Sequence, residues 1–446
     1  MNSISIKMKN FKRNWILVNF RSWFDNHTHE VLLFLLYVLV MWSFWVIQAA
    51  GYYDAYDNYG DAFFYIKKYL GYLFFGILLF LLIQKFDIKR LKVNPLIFVI
   101  IAVFFCILAS IPGIGLEVNG CMRYIRLFSI GINTGNFAVF LFVLAVSVLQ
   151  DSYDFYQKKA RRVAFAILSA LLLLLVFIQP NDIALFYLFA LVLAIVNIHY
   201  GKSRIVRILT KAAILLTAVV ILCILAYCLA LKLKLFRLED LPLDLNLLRL
   251  ANSVTMTDLY GDGWQLQQSV LGFVRGGIFG TGPGTSIQAM DRLPEAVGGF
   301  VFSVIGEEYG LIGLILTGAI FLLYLYLGLQ AACRTRNRFE SILCLNMTLM
   351  TVGMAYIGML TAVGLLFPNS IGIPFLGYGK YGVLTLCISA SLIYKILKRK
   401  EEVYNTAIFN GKKVLAFAAA LFGLILLKVL YHDVQGVLFH MFDRFL

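Results

Sequence analysis

Charged side chains are scarce in this sequence. They make up 14% of its 446 residues, whereas a soluble globular domain has about 25%. Hydrophobic residues make up 61%, and the mean hydropathy is +0.84. This composition excludes a soluble enzyme, a disordered tail, a collagen-like fibre and a disulfide-stapled secreted module, and it is typical of a chain that folds in a membrane.

Several chemical signatures are also missing. There is no Cys-x-x-Cys pair, and most of the seven cysteines lie inside apolar runs, so no disulfide framework is indicated. The five histidines are scattered, apart from the pair His27 and His29. The glycine-rich stretch at 274–286 contains no Gly-Lys-Ser/Thr sequence, which excludes a Walker phosphate loop there.

Long apolar runs are what the sequence offers instead. Eleven runs are candidate transmembrane helices, and they fall near 31–50, 69–84, 95–112, 134–150, 163–179, 182–199, 211–232, 302–329, 341–366, 381–397 and 413–431. The first run is too long for the hydrophobic core of a signal peptide, and no small-residue cleavage site follows it. It is therefore predicted to be a retained helix.

The basic residues predict the orientation of these helices. With the N-terminus in the cytoplasm, six inner segments hold 26 of the 39 Lys and Arg residues, in agreement with the positive-inside rule. The net charge of +15 is therefore attributed to membrane topology, and nucleic acid is not predicted as a partner.

The predicted fold is an all-α integral membrane protein, a polytopic bundle of ten transmembrane helices with an extra C-terminal helix. A long extracytoplasmic loop, about 233–301, joins the seventh and eighth helices and is too apolar and aromatic for disorder. We expect a cytoplasmic N-terminal segment 1–30, a membrane domain 31–400, and a C-terminal region 401–446 that holds the extra helix and an amphipathic tail.

Two short outer segments carry cationic candidate residues. The first contains Arg123 and Arg126 with Tyr124 between them. Two arginines beside an aromatic ring can bind a phosphate through bidentate hydrogen bonds; the alternative is that they face lipid headgroups. In the second, 364–382, proline and glycine break a helix at its outer end and Lys380 offers a cation. Its alternative is a plain interfacial turn.

The large loop carries the third set of candidates. Its glycines at 274–286 either form a nest of backbone N–H groups for an anion or make tight turns between short helices. Gln265 and Gln268 precede them and are candidates for hydrogen bonds to a substrate. Asp291 and Glu295 lie near the water boundary, where a carboxylate can act as a general base.

Two further acids lie at a depth where charge is costly. Glu307 and Glu308 belong to the eighth apolar run, and acids in such a position are usually paired or functional. We expect them to order the outer cavity through buried pairing.

Four motifs together resemble the SEDS family (shape, elongation, division and sporulation proteins, which include FtsW, RodA and SpoVE). They are GDGWQLQQS, GGIFGTGPGTS, LPE-x4-FVFSVIGEEYGLIG and GIPFLGYG, in the order and spacing of the family. The stretch NGCMRYI is similar to the family's NGA-x-RWI. The likeness extends over roughly 30–400 and is most specific over 261–313.

The resemblance implies an activity and partners. The family polymerises lipid II, the undecaprenyl-pyrophosphate-linked disaccharide precursor, into glycan strands at the bacterial cytoplasmic membrane. It works beside a class B penicillin-binding protein, which crosslinks the strands. An acid in the outer loop is the family's catalytic base, and cationic groups or a metal stabilise the leaving pyrophosphate. A divalent cation is thus a cofactor implied by the family alone, since the sequence identifies no ligands for it.

The sequence departs from the family at this acid. Gly299 stands where the family has aspartate, and glycine cannot move a proton. The first hypothesis is a divergent glycosyltransferase in which Glu295 or Asp291 replaces the acid. Glu295 is favoured, because a bend at Gly298 and Gly299 would bring its longer side chain inward.

Two other hypotheses stay open. One is a non-catalytic relative that binds a lipid-linked precursor or a synthase partner as a scaffold or regulator. The other is a flippase for the lipid-linked precursor, or a polymerase of another lipid-linked glycan. The inverted repeats and paired broken helices of common transporters are absent from the sequence, which disfavours a flippase.

The C-terminal helix is extra to the family's plan. It is either a simple membrane anchor or a helix that packs where a partner's transmembrane helix normally sits. Apolar residues recur at helical spacing in 434–446, which favours an amphipathic interfacial tail.

Overall fold

The computed structural model describes most of the chain outside one long central stretch. The described residues are 26–111, 113–118, 121–127, 130–151, 263–335, 337–366, 372–399 and 411–443, with a few positions between 164 and 172. The predicted spans 182–199 and 211–232, most of 163–179 and the first part of the large loop lie outside these residues.

Nine α-helices have both ends defined within the described residues, and the few described positions between 164 and 172 are also helical. In chain order they are α1 (Thr28–Tyr59), α2 (Phe64–Lys85), α3 (Pro95–Ala109), α4 (Thr134–Asp151), α5 (Trp264–Gly276), α6 (Val301–Arg334), α7 (Arg338–Ala362), α8 (Lys380–Lys398) and α9 (Gly411–Asp443). Six are long and apolar enough to cross a membrane, and α3 and α4 are shorter apolar helices. Each predicted span that falls within the described ranges coincides with one of these helices. This confirms the all-α polytopic membrane fold.

Helix α1 runs well beyond its predicted end. It stops only at Gly60, whose φ of 65° is left-handed and whose N–H donates to the carbonyl of Tyr56 at 2.9 Å, an arrangement that glycine adopts without strain. The prediction ended the helix where the apolar run ends, but the polar residues that follow continue it. The extension carries Asp54 and Asn58 above the apolar part of the helix.

A small antiparallel sheet lies between α3 and α4. Its strands are β1 (Gly115–Val118), β2 (Cys121–Leu127) and β3 (Ile130–Asn133), hydrogen-bonded in the order β1-β2-β3. No strand was predicted for this outer segment, and the structure corrects that. The sequence between β1 and β2 is Asn119-Gly120, the pair that most favours a two-residue hairpin turn.

Helix α7 forms the centre of the described bundle. Its span is 94% buried, and it packs against α4, α6 and α8. Two hydrogen bonds between side chains link helices inside the bundle: the Asn346 amide donates to the Ser147 hydroxyl at 2.8 Å, and the Tyr324 hydroxyl donates to Ser389 at 2.8 Å. Such pairs are expected between membrane helices, where an unpaired polar group is costly.

Helix α9 packs against α5, α6 and α7. Phe422 lies against Gly318 of α6, where a Cβ atom would be 1.9 Å from the Phe422 Cζ. The hydroxyl of Tyr356 in α7 donates to the carbonyl of Ala418 at 3.0 Å. The helix continues unbroken to Asp443 and so includes most of the predicted tail, whose side chains lie outside the described residues.

The contact between α6 and α9 predicts the effect of two glycine substitutions. Gly318→Ala should lower stability by about 1–3 kcal/mol, because the added methyl group overpacks the ring of Phe422. Gly423→Ala in α9 is the matched control, since a Cβ there meets no atom within 4 Å, and it should leave the melting temperature of the purified protein unchanged or raised. The Gly318→Ala cost should vanish in a Phe422→Ala background. Equal melting temperatures for the two alanine variants would contradict this packing.

Candidate functional site

A cavity of about 1020 Å³ lies at the end of the bundle where α1 ends and where α2 and α8 begin, which we call the outer end. Its lining includes the acids Asp54, Asp57 and Glu295, the cations Lys68 and Lys380, the amides Asn58, Asn133 and Asn136, and the phenols Tyr65, Tyr72, Tyr124, Tyr378 and Tyr381. A lining that offers hydrogen-bond donors, hydrogen-bond acceptors and two cations suits a ligand that carries hydroxyl groups and negative charge.

The glycine-rich segment is laid directly on the first turns of α6. The N–H groups of Thr281 and Gly282 donate to the carbonyls of Glu307 and Glu308 at 2.9 and 3.0 Å. These carbonyls are available because the helix is interrupted at Gly310, where φ is 61° and ψ is −159°. The segment therefore satisfies backbone groups that the broken helix leaves unpaired.

The close approach of the two backbones explains the glycines. A Cβ atom at Gly276 would lie 1.9 Å from the carbonyl oxygen of Gly306, and one at Gly280 would lie 2.2 Å from that of Glu308. No other residue fits these positions without moving the backbone. Of the two alternatives for the glycines, tight turns packed on a helix are the arrangement found.

The carboxylate of Glu307 holds the rest of the segment in place. Its Oε1 accepts hydrogen bonds from Arg275 Nη1 at 2.6 Å and from the N–H of Ile287 at 3.0 Å. Its Oε2 accepts from the Ser286 hydroxyl at 2.5 Å and from the N–H of Gln288 at 3.3 Å. Glu307 is fully buried, so this carboxylate is both charge-paired and saturated with hydrogen bonds.

Glu308 has a weaker set of contacts. It accepts a hydrogen bond from the N–H of Ser286 at 3.3 Å, and its Oε2 has no hydrogen-bond partner in the described part of the chain. The N–H groups of residues 286–288 thus do bind an anion, but the protein supplies that anion itself. The anion nest, one of the two alternatives for this segment, therefore holds glutamates of the protein itself.

Glu295 lies in a tight turn at the cavity. Its φ is 59°, a strained value for a residue with a side chain. Its carbonyl accepts from the N–H groups of Gly298 and Phe300 at 2.8 and 3.2 Å, which closes the bend. A Cβ atom at Gly298 would lie 4.0 Å from Glu295 Oε2, so the carboxylate is folded back toward this part of the loop. Gly298 lines the cavity, and Gly299 after it is buried.

The segment before α8 forms the neighbouring wall. The N–H of Tyr378 donates to the carbonyl of Val297 at 3.3 Å, and a Cβ atom at Gly377 would lie 3.0 Å from the same oxygen. Burial raises the pKa of Tyr378 to about 12, and neighbouring Tyr72 and the Glu295 carboxylate add to the shift. Its phenol therefore stays protonated at neutral pH and is available as a donor.

Two lysines line the cavity from different helices. Lys380 begins α8, and Lys68 lies in the first turns of α2. They are close enough for their charges to interact, and such a pair of like charges is a natural site for a doubly charged anion. Lys380 is a sequence candidate. Lys68 and the nearby Asp54 are not, because only the long α1 and its turn into α2 bring them to the cavity.

Comparison with known proteins decides the family. The sequence model of the FtsW/RodA/SpoVE cell cycle protein family matches residues 29–402. The chain belongs to this family. The resemblance to SEDS proteins is thereby confirmed, and the chain is a multi-pass membrane protein. Helix α9 lies beyond the matched residues.

The relatives of the chain agree with this assignment. It is 29% identical over 358 residues to the probable peptidoglycan glycosyltransferase FtsW of Synechocystis sp., covering 80% of this chain and 86% of that protein. It is 27% identical to the protein of the same name from Trichlorobacter lovleyi, over 82% of this chain and 92% of that protein.

Two solved structures share the fold. One is a chain in a peptidoglycan synthase complex, with a TM-score of 0.59, 18% identity, and coverage of 82% of this chain and 97% of that chain. The other is the rod shape determining protein RodA of Thermus thermophilus, with a TM-score of 0.52, 16% identity, and coverage of 83% and 97%.

The glutamine motif of the family has a structural place in this chain. Gln265 Nε2 donates to the carbonyl of Pro294 at 3.0 Å, and Trp264 Nε1 donates to that of Arg292 at 3.2 Å. These bonds tie α5 to the turn that presents Glu295. Gln268 is buried in α5 and is not among the lining residues of the cavity.

Of the remaining candidate residues, the structure describes the side chain of one and only the backbone of three. Tyr124 in β2 lines the cavity. Arg123 and Arg126 belong to the same strand, and Asp291 belongs to a short π-helix, Gln288–Arg292; the side chains of these three lie outside the described residues. The structure thus brings Tyr124, Glu295 and Lys380, one from each predicted outer segment, to one cavity.

A divalent metal ion does not fit the described residues. Among them, no group of three or more His, Cys, Asp and Glu side chains is placed to hold one.

The Glu307 network predicts a difference between the two neighbouring glutamates. Glu307→Gln breaks the pair with Arg275 and should lower the free energy of unfolding by about 3 kcal/mol, at the lower end for buried pairs because Arg275 is 37% exposed. Glu308→Gln is the matched control and should cost clearly less, since a glutamine oxygen can still accept from Ser286. Thermal unfolding in detergent measures both, and an equal loss for the two variants would refute the assignment.

Proposed function

We propose that this protein is a peptidoglycan glycosyltransferase of the bacterial cytoplasmic membrane, with a cytoplasmic N-terminus, that polymerises lipid II or a related lipid-linked precursor in its outer cavity. The observation that carries the proposal is the presence of a carboxylate, Glu295, and two lysines, Lys68 and Lys380, in one cavity. The names of the FtsW relatives support the same activity.

Glycosyl transfer needs a base and a site for the leaving group. An acceptor sugar hydroxyl attacks the anomeric carbon of the donor sugar, and the bond from that carbon to the pyrophosphate oxygen breaks with its electron pair. The hydroxyl proton passes to the Glu295 carboxylate, which acts as general base. Lys68 and Lys380 stabilise the charge that develops on the pyrophosphate. The protonated phenol of Tyr378 is a further donor beside this charge.

The local geometry supports Glu295 as the replacement for the family aspartate. Gly299 carries no acid, but the turn from Glu295 to Phe300 folds the glutamate back toward Gly298. A glutamate side chain is one methylene longer than an aspartate, which offsets part of the four-residue difference in position. The strained φ of Glu295 is consistent with a residue whose orientation matters for function.

A partner protein is part of the proposal. One solved structure that shares the fold is a chain of a peptidoglycan synthase complex that coordinates polymerisation and crosslinking. We propose that this chain also works beside a crosslinking synthase of the class B penicillin-binding type. The additional helix α9 covers part of α5, α6 and α7, so a partner must bind another face or displace it.

Glu295→Gln tests the base directly. The substitution keeps size and hydrogen bonding but removes proton acceptance, so polymerisation of lipid II by purified protein, with and without a synthase partner, should fall about 10²–10⁴-fold. Asp61→Asn is the control, because Asp61 is bonded to Lys67 and is not among the cavity lining residues. Full activity of Glu295→Gln, or no polymer from the wild-type protein, would contradict the proposal.

A second candidate function is a non-catalytic protein that binds the lipid-linked precursor and regulates a synthase. The observation that favours it is Gly299, since the position of the family acid is a buried glycine. On this alternative the unaltered protein binds lipid II without turnover, and the network around Glu307 serves only to keep the binding cavity open.

Restoring the family acid separates the two functions. If the cavity is a working active site, Gly299→Asp should recover part of the polymerisation that Glu295→Gln removes, because an acid returns to the same turn. The double variant is compared with Glu295→Gln alone in the lipid II assay. An inert wild-type protein that gains activity with Gly299→Asp alone would select the second candidate, and an inert double variant would show that position 299 does not face the reacting sugar.

A further inference from the structure

We infer that the outer ends of α1 and α2 form a saccharide-binding subsite, in which Asp54 and Asn58 bind sugar hydroxyl groups beside the aromatic side chain of Tyr65. The inference rests on the proposed function for the identity of the sugar, which would be a segment of the glycan strand or its precursor. It concerns residues outside every motif that relates this chain to its family.

The polar part of the subsite is held in place before any ligand binds. Asp54 Oδ1 accepts a hydrogen bond from the Asn58 amide at 2.8 Å, and its Oδ2 accepts from the Tyr65 hydroxyl. A carboxylate has about four lone-pair positions, so two are left for a ligand. Asn58 adds an amide, which both donates and accepts. All three residues line the cavity.

The aromatic part of the subsite is equally ordered. The rings of Tyr59 and Phe64 stack with centroids 3.6 Å apart and an interplanar angle of 12°. Lys68 Nζ lies 4.1 Å from the Phe64 centroid, a cation–π contact. The ring of Tyr65 lies 4.8 Å from that of Tyr378. Stacked rings fix the corner between α1 and α2, and aromatic faces are apolar surfaces on which the C–H face of a sugar packs.

The subsite adjoins the turn that carries Glu295. A Cβ atom at Gly51 of α1 would lie 3.2 Å from Val297 Cγ2, so α1 contacts the loop one helical turn below Asp54. Tyr378, which contacts Tyr65, is hydrogen-bonded to Val297 as well. The subsite at Asp54 is therefore linked to the turn of Glu295, because both α1 and Tyr378 contact Val297 in that turn.

The chemistry favours a sugar over a phospholipid headgroup. Tyrosines at the outer ends of membrane helices commonly mark the lipid interface, and Tyr56 and Tyr59, which are exposed, fit that role. Asp54 and Asn58, however, face a cavity, and the lining also holds Asp57. Carboxylates repel the phosphate of a headgroup but accept hydrogen bonds from uncharged hydroxyl groups.

A saccharide without pyrophosphate or lipid tests the subsite alone. The probe is a β-1,4-linked tetramer of N-acetylglucosamine, titrated against the full-length protein in phosphatidylcholine nanodiscs, with binding followed by saturation-transfer NMR. We expect saturable binding by the wild-type protein. Asp54→Asn and Asn58→Ala should each weaken it about tenfold, the effect of one lost hydrogen bond in a network that includes the charged Asp54.

Matched variants separate recognition from folding. Asp61→Asn lies in the same corner, outside the cavity lining, and should bind like wild type. Its carboxyl pKa is already lowered by a hydrogen bond from Lys67, so it is engaged elsewhere. Tyr65→Phe keeps the ring but loses the hydroxyl that orients Asp54, and should weaken binding less than Asp54→Asn. Each variant must melt within a few degrees of the wild-type protein. If Asp54→Asn does not meet this criterion, the affinity of Tyr65→Phe for the tetramer decides the test.

The binding results decide whether the subsite exists, and they can be distinguished from the results that decide the proposed function. No saturable wild-type binding, or wild-type affinity in Asp54→Asn, would overturn the inference. Loss of tetramer binding when phosphatidylglycerol is added to the nanodiscs would assign the corner to lipid headgroups and also overturn it. A protein that binds the tetramer through Asp54 but never polymerises lipid II would refute the proposed function and leave the subsite intact.

Discussion

The structure of the outer end depends on one buried carboxylate. Glu307 lies at the start of α6, pairs with Arg275 from α5 and accepts hydrogen bonds from the loop at 286–288. A glycine-rich chain has many accessible conformations when nothing holds it. The charge of Glu307 selects one of them, and the loop then has a fixed path from α5 to α6.

The path of the loop sets the position of the reacting groups. Irregular backbone is tolerated near a membrane only where its polar groups are satisfied by protein or water. Here the interrupted α6 and the glycine-rich segment satisfy one another, with Gly276, Gly280 and Gly310 permitting contact between their backbones. The chain emerges from this contact into the turn of Glu295. The turn of Glu295 also supports the segment before α8, through the hydrogen bond from Tyr378 to Val297. The ion pair of the buried Glu307 with Arg275 therefore determines where the carboxylate of Glu295 and the ammonium group of Lys380 meet.

Local patterns predicted the membrane helices and missed what depends on tertiary contact. Apolar length alone indicated α2 to α4 and α6 to α9, but it ended α1 early, because the turns that carry Asp54 are polar and are stabilised by packing of Gly51 against Val297. The strands of the small sheet are too short to show a period, and only the Asn119-Gly120 pair marks them. Glu307 was recognisable as a buried acid from its apolar setting. Its partner Arg275 was not, because their pairing requires α5 to fold back onto α6.

The site was predictable to the same extent. Glu295, Tyr124 and Lys380 stand in motifs, and the structure brings all three to one cavity. Lys68 and Asp54 stand in no motif, and they reach that cavity only through the turn between α1 and α2. The most direct test of the proposed lipid II site is a cryo-electron microscopy structure of the protein in nanodiscs with lipid II bound. We expect the pyrophosphate between Lys68 and Lys380, with the disaccharide beside Glu295 on the extracytoplasmic side. A pyrophosphate bound away from both lysines, or a cavity that opens to the cytoplasm, would contradict it.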